Sequence, residues 1–116
     1  MGRLTTHVLD TASGCPANGV TVSLFRIQAG RELIAQASTN ADGRLDAPVL
    51  DTDSFAPGVY ELVFAAGDYF RARHSELPDP PFVDEVVIRF GIADADQHYH
   101  VPLLVSPWSY STYRGS

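Results

Sequence analysis

Residues 59–65, Val-Tyr-Glu-Leu-Val-Phe-Ala, contain the pattern that decides the fold class. The large apolar side chains of Tyr60, Leu62 and Phe64 recur at every second position, which is typical of a β-strand with one buried face. The same short period occurs in further runs, at residues 4–9, 20–25, 86–90, 98–105 and 108–113, and more weakly at 32–39. Turn signals separate these runs, at Ser13-Gly14, Ala41-Asp42-Gly43, Pro57-Gly58 and Asp79-Pro80-Pro81. Many short strands at regular spacing predict an all-β sandwich or barrel.

The segment from Asp68 to Leu77 departs from this pattern and predicts one short helix. Its apolar residues Tyr69, Ala72 and Leu77 recur at roughly helical intervals. Asp68 is placed to cap the first turn, and Pro78 to end the helix.

Pro102 lies inside an otherwise strong strand run. Because proline cannot donate to a ladder of backbone hydrogen bonds, we expect this strand to lie at a sheet edge or to carry a bulge. The run continues through the apolar residues 103–105 towards Trp108 and Tyr110. In so small a domain, an apolar and aromatic tail of this kind indicates that a neighbouring subunit covers it.

Length and charge limit the classes of function. The 116 residues suit one domain, which we assign to residues 1–116. With 8 basic residues, all of them arginine, and 14 acidic ones, the formal net charge is 8 − 14 = −6. An acidic chain without basic runs is poorly suited to nucleic acid or to anionic membrane surfaces. The sequence also has neither a secretory signal nor an apolar run long enough to span a membrane, so we expect a cytoplasmic protein.

Histidines are the first candidates for chemistry, because their pKa lies near neutrality. His98 and His100 are two residues apart on a predicted strand and should therefore share a face. His7 lies in the middle of the first predicted strand. These three are either structural histidines, a proton-transfer set or a three-histidine metal site. His74, on the predicted helix, is expected to be solvated.

Other polar residues leave similar choices open. Arg44 follows the Asp42-Gly43 turn signal and is either an exposed turn residue or a planar donor for carbonyl or anionic oxygens. Cys15, beside Pro16 in a predicted loop, is expected to be a passive thiol. A single cysteine also excludes a disulfide within the chain. Glycine-rich phosphate loops and serine-hydrolase elbows are absent from the sequence.

The two ends of the chain resemble one family. The stretch Leu4-Thr5-Thr6-His7-Val8-Leu9-Asp10-Thr11-Ala12-Ser13-Gly14, followed by Pro16-Ala17, is similar to the N-terminal signature of the transthyretin-related 5-hydroxyisourate hydrolases. Residues 98–104, His-Tyr-His-Val-Pro-Leu-Leu, and 110–116, Tyr-Ser-Thr-Tyr-Arg-Gly-Ser, resemble the C-terminal signature. Asp42-Gly43-Arg44 and Gly67-Asp68-Tyr69-Phe70 fit as well, so the resemblance covers essentially the whole chain. The terminal Tyr-Arg-Gly-Ser separates these enzymes from the hormone-carrying transthyretins.

The resemblance implies a transthyretin-like (prealbumin-like) β-sandwich of about eight strands with one short helix. It implies a homotetramer, a dimer of dimers with active sites at the dimer–dimer interface. The implied reaction belongs to urate degradation in purine metabolism. It opens a cyclic amide of 5-hydroxyisourate by hydrolysis and gives 2-oxo-4-hydroxy-4-carboxy-5-ureidoimidazoline. Neither a metal nor an organic cofactor is expected.

The resemblance also implies which residues act. Carried over one by one, the catalytic set is His7, Arg44, His100 and Ser116, and the substrate-binding set is His7, Arg44, Tyr113 and Arg114. The family's late histidine matches His100 rather than His98, because it directly precedes Val-Pro-Leu-Leu. His7 and His100 would activate water and shuttle the proton, with their individual roles left open. Arg44 would stabilise the developing oxyanion. The alternatives are a ligand carrier of the same fold and the three-histidine metal site.

Overall fold

A computed structural model describes residues 2–115 and contains eight β-strands and one helix. The strands are β1 Leu4–Asp10, β2 Cys15–Pro16, β3 Thr21–Ile27, β4 Arg31–Ser38, β5 Gly58–Phe64, β6 Val86–Ile92, β7 Tyr99–Val105 and β8 Tyr110–Thr112, and the helix is α1 Ala66–Arg71. Every run predicted as a strand contains one. The all-β prediction with about eight strands and one short helix is confirmed.

The strands form two four-stranded sheets, ordered β2-β1-β7-β8 and β4-β3-β5-β6. The neighbours β1 and β7 are parallel, and the other neighbouring strands are antiparallel. Parallel pairing between strands at opposite ends of the chain brings residues 4–10 alongside 99–105. This contact positions the candidate site.

The core lies between the two sheets and follows the alternation read in the sequence. Tyr60, Leu62 and Phe64 on β5 are fully buried, as are Leu4 and Leu103 on β1 and β7. Burial of one such large side chain stabilises the fold by about 1.5–3 kcal/mol. The predicted alternation therefore identifies the inward face of the central strand correctly.

The outward face of β5 contains a buried carboxylate. Glu61 is covered by two arginines, with Arg31 Nε 3.1 Å from Oε1 and Arg89 Nη2 2.8 Å from Oε2. The hydrogen bond from Arg89, reinforced by Arg31, holds the pKa of Glu61 below its usual value. Two arginines, Arg89 on the neighbouring strand β6 and Arg31 on β4 two strands away, thus stabilise this carboxylate.

The ends of the helix were predicted at the wrong residues. It spans Ala66–Arg71 rather than 68–77 and starts after Ala65, without a capping side chain. Asp68 lies in its first turn instead, where it pairs with Arg71 at 2.6 Å. Ala66, Tyr69 and Phe70 form the buried stripe, whereas Ala72 is exposed, so the apolar face lies one turn earlier than the spacing indicated.

The prediction for Pro102 was also wrong. β7 is the second strand from its sheet edge, and its pairing with β1 and β8 shows no register shift. The β7–β8 ladder stops at Leu103–Thr112 and is followed by an isolated bridge from His100 to Gly115. Pro102 lies between these two pairings, and its carbonyl accepts a hydrogen bond from Thr112 Oγ1 at 2.7 Å. The ladder is therefore interrupted beside the missing donor on one side, while the register stays unchanged.

Two further local expectations need correction. Cys15 belongs to the two-residue strand β2, where it pairs with Asp10, rather than to a loop. The ring of His74 packs against Phe70, and its Nε2 is buried with no hydrogen-bond partner among residues 2–115, so this histidine is not simply solvated.

The apolar tail divides into two parts. Leu103 and Val105 are covered by the core of this chain, whereas Trp108 and Tyr110 are exposed. Trp108 stacks on the exposed Phe82, with ring centroids 6.2 Å apart.

None of the helices within residues 2–115 is long and apolar enough to cross a membrane.

Candidate functional site

A tight turn places Arg44 beside His7. The side chain of Asn40 accepts hydrogen bonds from the backbone N–H groups of Asp42 and Arg44, at 2.9 and 3.2 Å, and so shapes the turn. The turn then bonds to β1, because Val8 N–H donates to Gly43 O at 2.7 Å. An isolated antiparallel bridge pairs His7 with Arg44.

The ring of His7 is oriented by the same turn. Its Nε2 lies 2.8 Å from the carbonyl oxygen of Asp42. A carbonyl oxygen only accepts hydrogen bonds, so Nε2 carries the proton. In the neutral ring, Nδ1 is then the unprotonated nitrogen, which can accept a proton.

Parallel pairing of β1 with β7 brings His100 to the same face of the sheet as His7. The register aligns Thr5 with His100 and His7 with Pro102, and paired residues of neighbouring strands project to one side. His100 Nδ1 lies 2.8 Å from Thr5 Oγ1. Thr5 also contacts His98, whose Nε2 is 3.2 Å away.

An open cavity of about 440 Å³ lies over Thr5, His98 and His100, whereas His7 is not among its lining residues. Its lining consists of Arg3, Thr5, Thr6, Arg44, Leu45, Asp46, Ala47, Pro48, His98 and His100. Two arginines face one aspartate here, although the chain as a whole carries a net charge of −6. The side chain of Arg44 has neither a hydrogen bond nor an ion pair within the described part of the chain. A permanent cation without a partner suits an oxygen-rich or anionic ligand.

The C-terminal segment is attached directly to His100. Gly115 N–H donates to His100 O at 2.7 Å, and His100 N–H donates to Gly115 O at 3.4 Å. A Cβ atom at Gly115 would lie 3.0 Å from the His100 ring, so glycine allows this close approach. Ser116, a predicted catalytic residue, lies outside the described residues.

Tyr113 and Arg114 occupy a different place. The Arg114 guanidinium lies 4.2 Å from the centre of the Tyr99 ring and donates to Gln97 Oε1 and to the His98 carbonyl. Both residues line a separate cavity of about 330 Å³ next to β6. The structure therefore brings His7, Arg44 and His100 to one sheet face, but of these only Arg44 and His100 line the cavity, and neither Tyr113 nor Arg114 does.

Burial and neighbouring charges lower the pKa values of two histidines. For His100 the largest cause is burial, followed by the charges of Arg44, His7 and His98. For His98 burial again comes first, followed by the charges of Arg3 and Arg114. Both effects disfavour the imidazolium form, so both rings are neutral at pH 7.

An NMR titration of the ring signals is expected to show His98 and His100 changing charge below pH 6.5, the ordinary histidine value. Arg3→Gln should raise the pKa of His98 only in part, because burial is the larger cause. Arg26→Gln, on the other sheet, serves as the control and should leave both titrations unchanged. A midpoint above 6.5 for either residue would contradict this electrostatic description.

Arg3 and Thr5 are site residues that the sequence did not single out. Thr5 lies within the N-terminal signature but was given no role, Arg3 lies just before that signature, and only the pairing of β1 with β7 brings both to the late histidines. The three-histidine metal alternative gains no support, because residues 2–115 contain no group of three or more His, Cys, Asp or Glu placed to hold a metal ion.

Comparison with known proteins gives consistent matches over the whole chain. The model of the HIUase/Transthyretin family matches residues 4–115. The 5-hydroxyisourate hydrolase of Pseudomonas aeruginosa is 65% identical, and the match covers 100% of this chain and 93% of that protein. The 5-hydroxyisourate hydrolase 2 of Rhizobium meliloti is 61% identical, with coverage of 99% and 97%.

Solved structures agree. The crystal structure of an (S)-allantoin synthase superposes with a TM-score of 0.92 at 47% identity and covers 99% of this chain, which spans 44% of that protein. The 5-hydroxyisourate hydrolase of Klebsiella pneumoniae has a TM-score of 0.81 at 40% identity, with coverage of 98% and 99%. Sea bream transthyretin in complex with thyroxine has a TM-score of 0.87 at 28% identity, with coverage of 97% and 94%.

Proposed function

Because the chain belongs to the HIUase/Transthyretin family, we propose that it catalyses the hydrolysis of 5-hydroxyisourate to 2-oxo-4-hydroxy-4-carboxy-5-ureidoimidazoline. The observation that carries this proposal is that Arg44 and His100 line one cavity and His7 pairs with Arg44, in a chain 65% identical to a 5-hydroxyisourate hydrolase. The reaction is the hydrolytic opening of a cyclic amide, a step of urate degradation.

His7 acts as the base in this proposal. Its Nε2 proton is engaged by the Asp42 carbonyl, which leaves Nδ1 free to take a proton from water. The resulting hydroxide oxygen forms a bond to the ring carbonyl carbon of the substrate. General-base catalysis of this kind contributes typically about 10²–10⁴-fold to the rate.

Arg44 stabilises the negative charge that develops on the attacked carbonyl oxygen. Its guanidinium presents a planar set of donors at the cavity, and its backbone is held by the Asn40 turn. When the intermediate collapses, the carbon–nitrogen bond breaks and the proton taken up by His7 is delivered to the leaving nitrogen. Atoms and charge then balance, with water as the only co-reactant.

The C-terminal residues complete the proposal. Gly115 contacts His100 directly, so we assign Ser116, the next residue, to orienting substrate or water. The substrate-binding roles of Tyr113 and Arg114 stay predictions. The contacts of Arg114 with Tyr99 and Gln97 favour a role in holding the tail against β7.

The proposal includes a homotetramer built as a dimer of dimers. The open form of the cavity and the exposed aromatic side chains Phe82, Trp108, Tyr110 and Tyr113 support assembly. A cavity shared by subunits would exclude water better than the open surface of one chain. Sedimentation of the purified protein tests the assembly, and the cytoplasmic location stays a prediction.

The direct test generates 5-hydroxyisourate from urate with urate oxidase and follows its ultraviolet absorbance. Catalytic amounts of the protein are expected to accelerate the decay of this signal, with many turnovers per chain. A ligand carrier, the alternative suggested by the likeness to the thyroxine complex of sea bream transthyretin, would deplete at most stoichiometric substrate. Decay at the spontaneous rate would refute the proposed function.

A further inference from the structure

Four side chains beside the cavity form one continuous hydrogen-bonded chain. Arg3 Nε lies 3.2 Å from His98 Nδ1, and His98 Nε2 lies 3.2 Å from Thr5 Oγ1. Thr5 Oγ1 in turn lies 2.8 Å from His100 Nδ1. Two of these residues come from each end of the sequence, and they meet through the parallel pairing of β1 with β7.

Arg3 determines the donor and the acceptor in every hydrogen bond of this series. An arginine guanidinium only donates hydrogen bonds, so Nδ1 of His98 must accept. The neutral His98 ring then carries its proton on Nε2 and donates to Thr5 Oγ1. Within residues 2–115 the Thr5 hydroxyl contacts only the two histidine rings, so once its oxygen accepts from His98 the acceptor left for its proton is Nδ1 of His100. This assignment gives every donor in the series an acceptor.

We propose that Arg3, His98 and Thr5 are positioning residues that hold His100 in the tautomer with its proton on Nε2. His100 then faces the substrate as a hydrogen-bond donor. This inference rests on the proposed function for its catalytic meaning, whereas the tautomer itself is a property of the free protein. Nε2 of His100 has no hydrogen-bond partner among residues 2–115, so it is available to a ligand.

The electrostatics of the site agree with a neutral His100 ring that accepts a hydrogen bond at Nδ1. Protonation of His100 would place a second proton on Nδ1, facing the Thr5 hydroxyl that donates to it. The charges of Arg44, His7 and His98, together with burial, lower the pKa of His100 and keep the ring neutral. Arg3 and Arg114 do the same for His98, again after burial.

The two site histidines therefore have complementary roles. His7 presents the unprotonated Nδ1, because its Nε2 proton is bonded to the Asp42 carbonyl. His100 presents an Nε2 proton, because its Nδ1 is bonded to Thr5. The base and the hydrogen-bond donor are thus distinguished by their partners, although both residues are histidines on one sheet face. A neutral imidazole is a suitable donor to a developing oxyanion alongside Arg44.

Nitrogen-15 NMR of the histidine rings in the ligand-free protein at pH 7.5 tests the tautomer. We expect the Nε2 signal of His100 at the position of a protonated ring nitrogen and the Nδ1 signal at that of an unprotonated one. Thr5→Val should shift both signals towards their tautomer averages, whereas Thr5→Ser should restore them. A wild-type His100 with its proton on Nδ1 would overturn the proposal.

The kinetic arm uses the same variants in the 5-hydroxyisourate assay. Thr5→Val should lower kcat about tenfold with little change in KM, since a lost hydrogen bond frees the tautomer, and Thr5→Ser should recover most of it. Arg3→Met, at the exposed start of the chain of hydrogen bonds, should act in the same direction without affecting folding. Thr11→Val is the matched control, because the Thr11 hydroxyl also donates to β7, at Val105 O, but lies outside the site.

The outcomes are distinguishable. A Thr5→Val protein with unchanged kcat, or with lowered kcat and an unchanged tautomer, would overturn the positioning role. Absence of hydrolysis by the wild type would refute the proposed function instead, while the NMR result would still decide the tautomer.

Discussion

Arg44→Gln is expected to lower kcat/KM for 5-hydroxyisourate by about 10²–10³-fold, the usual effect of removing one oxyanion donor. Arg44 pairs with His7 through an isolated bridge, and it lines the cavity together with His100. Glutamine retains a donor but loses the charge and the planar set of donors. The absorbance assay measures the loss directly.

The same substitution should leave folding intact. The exposed Arg44 side chain has no hydrogen bond or ion pair within residues 2–115, so its replacement breaks no polar interaction there. Arg26→Gln is the control, since Arg26 lies on β3 in the other sheet and contacts Tyr60. Activity of Arg44→Gln within twofold of the Arg26→Gln protein would remove Arg44 from the mechanism.

Gly43→Ala is expected to destabilise the fold by about 2–4 kcal/mol and to remove most of the activity. Gly43 has a φ of +77°, which disfavours any side chain, and a Cβ atom there would collide with the backbone oxygen of Val8. The turn must move away from β1 to relieve this contact. Movement of the turn displaces Arg44 and the Asp42 carbonyl that orients His7.

Gly14→Ala separates the effect of the positive φ angle from the effect of the collision with Val8. Gly14 has a similar φ of +71°, but a Cβ atom there would meet nothing within 4 Å. It should therefore cost only the backbone penalty of about 1–2 kcal/mol and leave kcat/KM unchanged. Chemical denaturation gives both stabilities, and the assay gives both activities. Equal stability losses for the two variants would show that the collision with Val8 does not determine the effect.

The strands were predictable because alternation of apolar side chains is a local property. Tyr60, Leu62 and Phe64 record the buried face of β5 in the sequence itself. The helix was misplaced because its boundaries depend on which turn packs into the core, and burial of Ala66 and Phe70 is a tertiary contact. Pro102 misled for the same reason, since its effect depends on which neighbour its nitrogen faces.

Some residues of the candidate site were predictable from the sequence and others were not. The family resemblance named His7, Arg44 and His100, and the structure brings these three together. The resemblance assigned no role to Arg3 or Thr5, because their roles depend on hydrogen bonds between strands. Arg114 was assigned to substrate, whereas its guanidinium stacks on Tyr99.

The sequence by itself determined the fold class, the family and the residue types available for chemistry, because periodicity and motifs are written along one chain. Only the tertiary structure decided which nitrogen of each histidine carries its proton. That choice depends on the partner of each ring, the Asp42 carbonyl for His7 and the Thr5 hydroxyl for His100. Those partners lie 35 and 95 positions away along the chain, and folding alone brings them within hydrogen-bond distance.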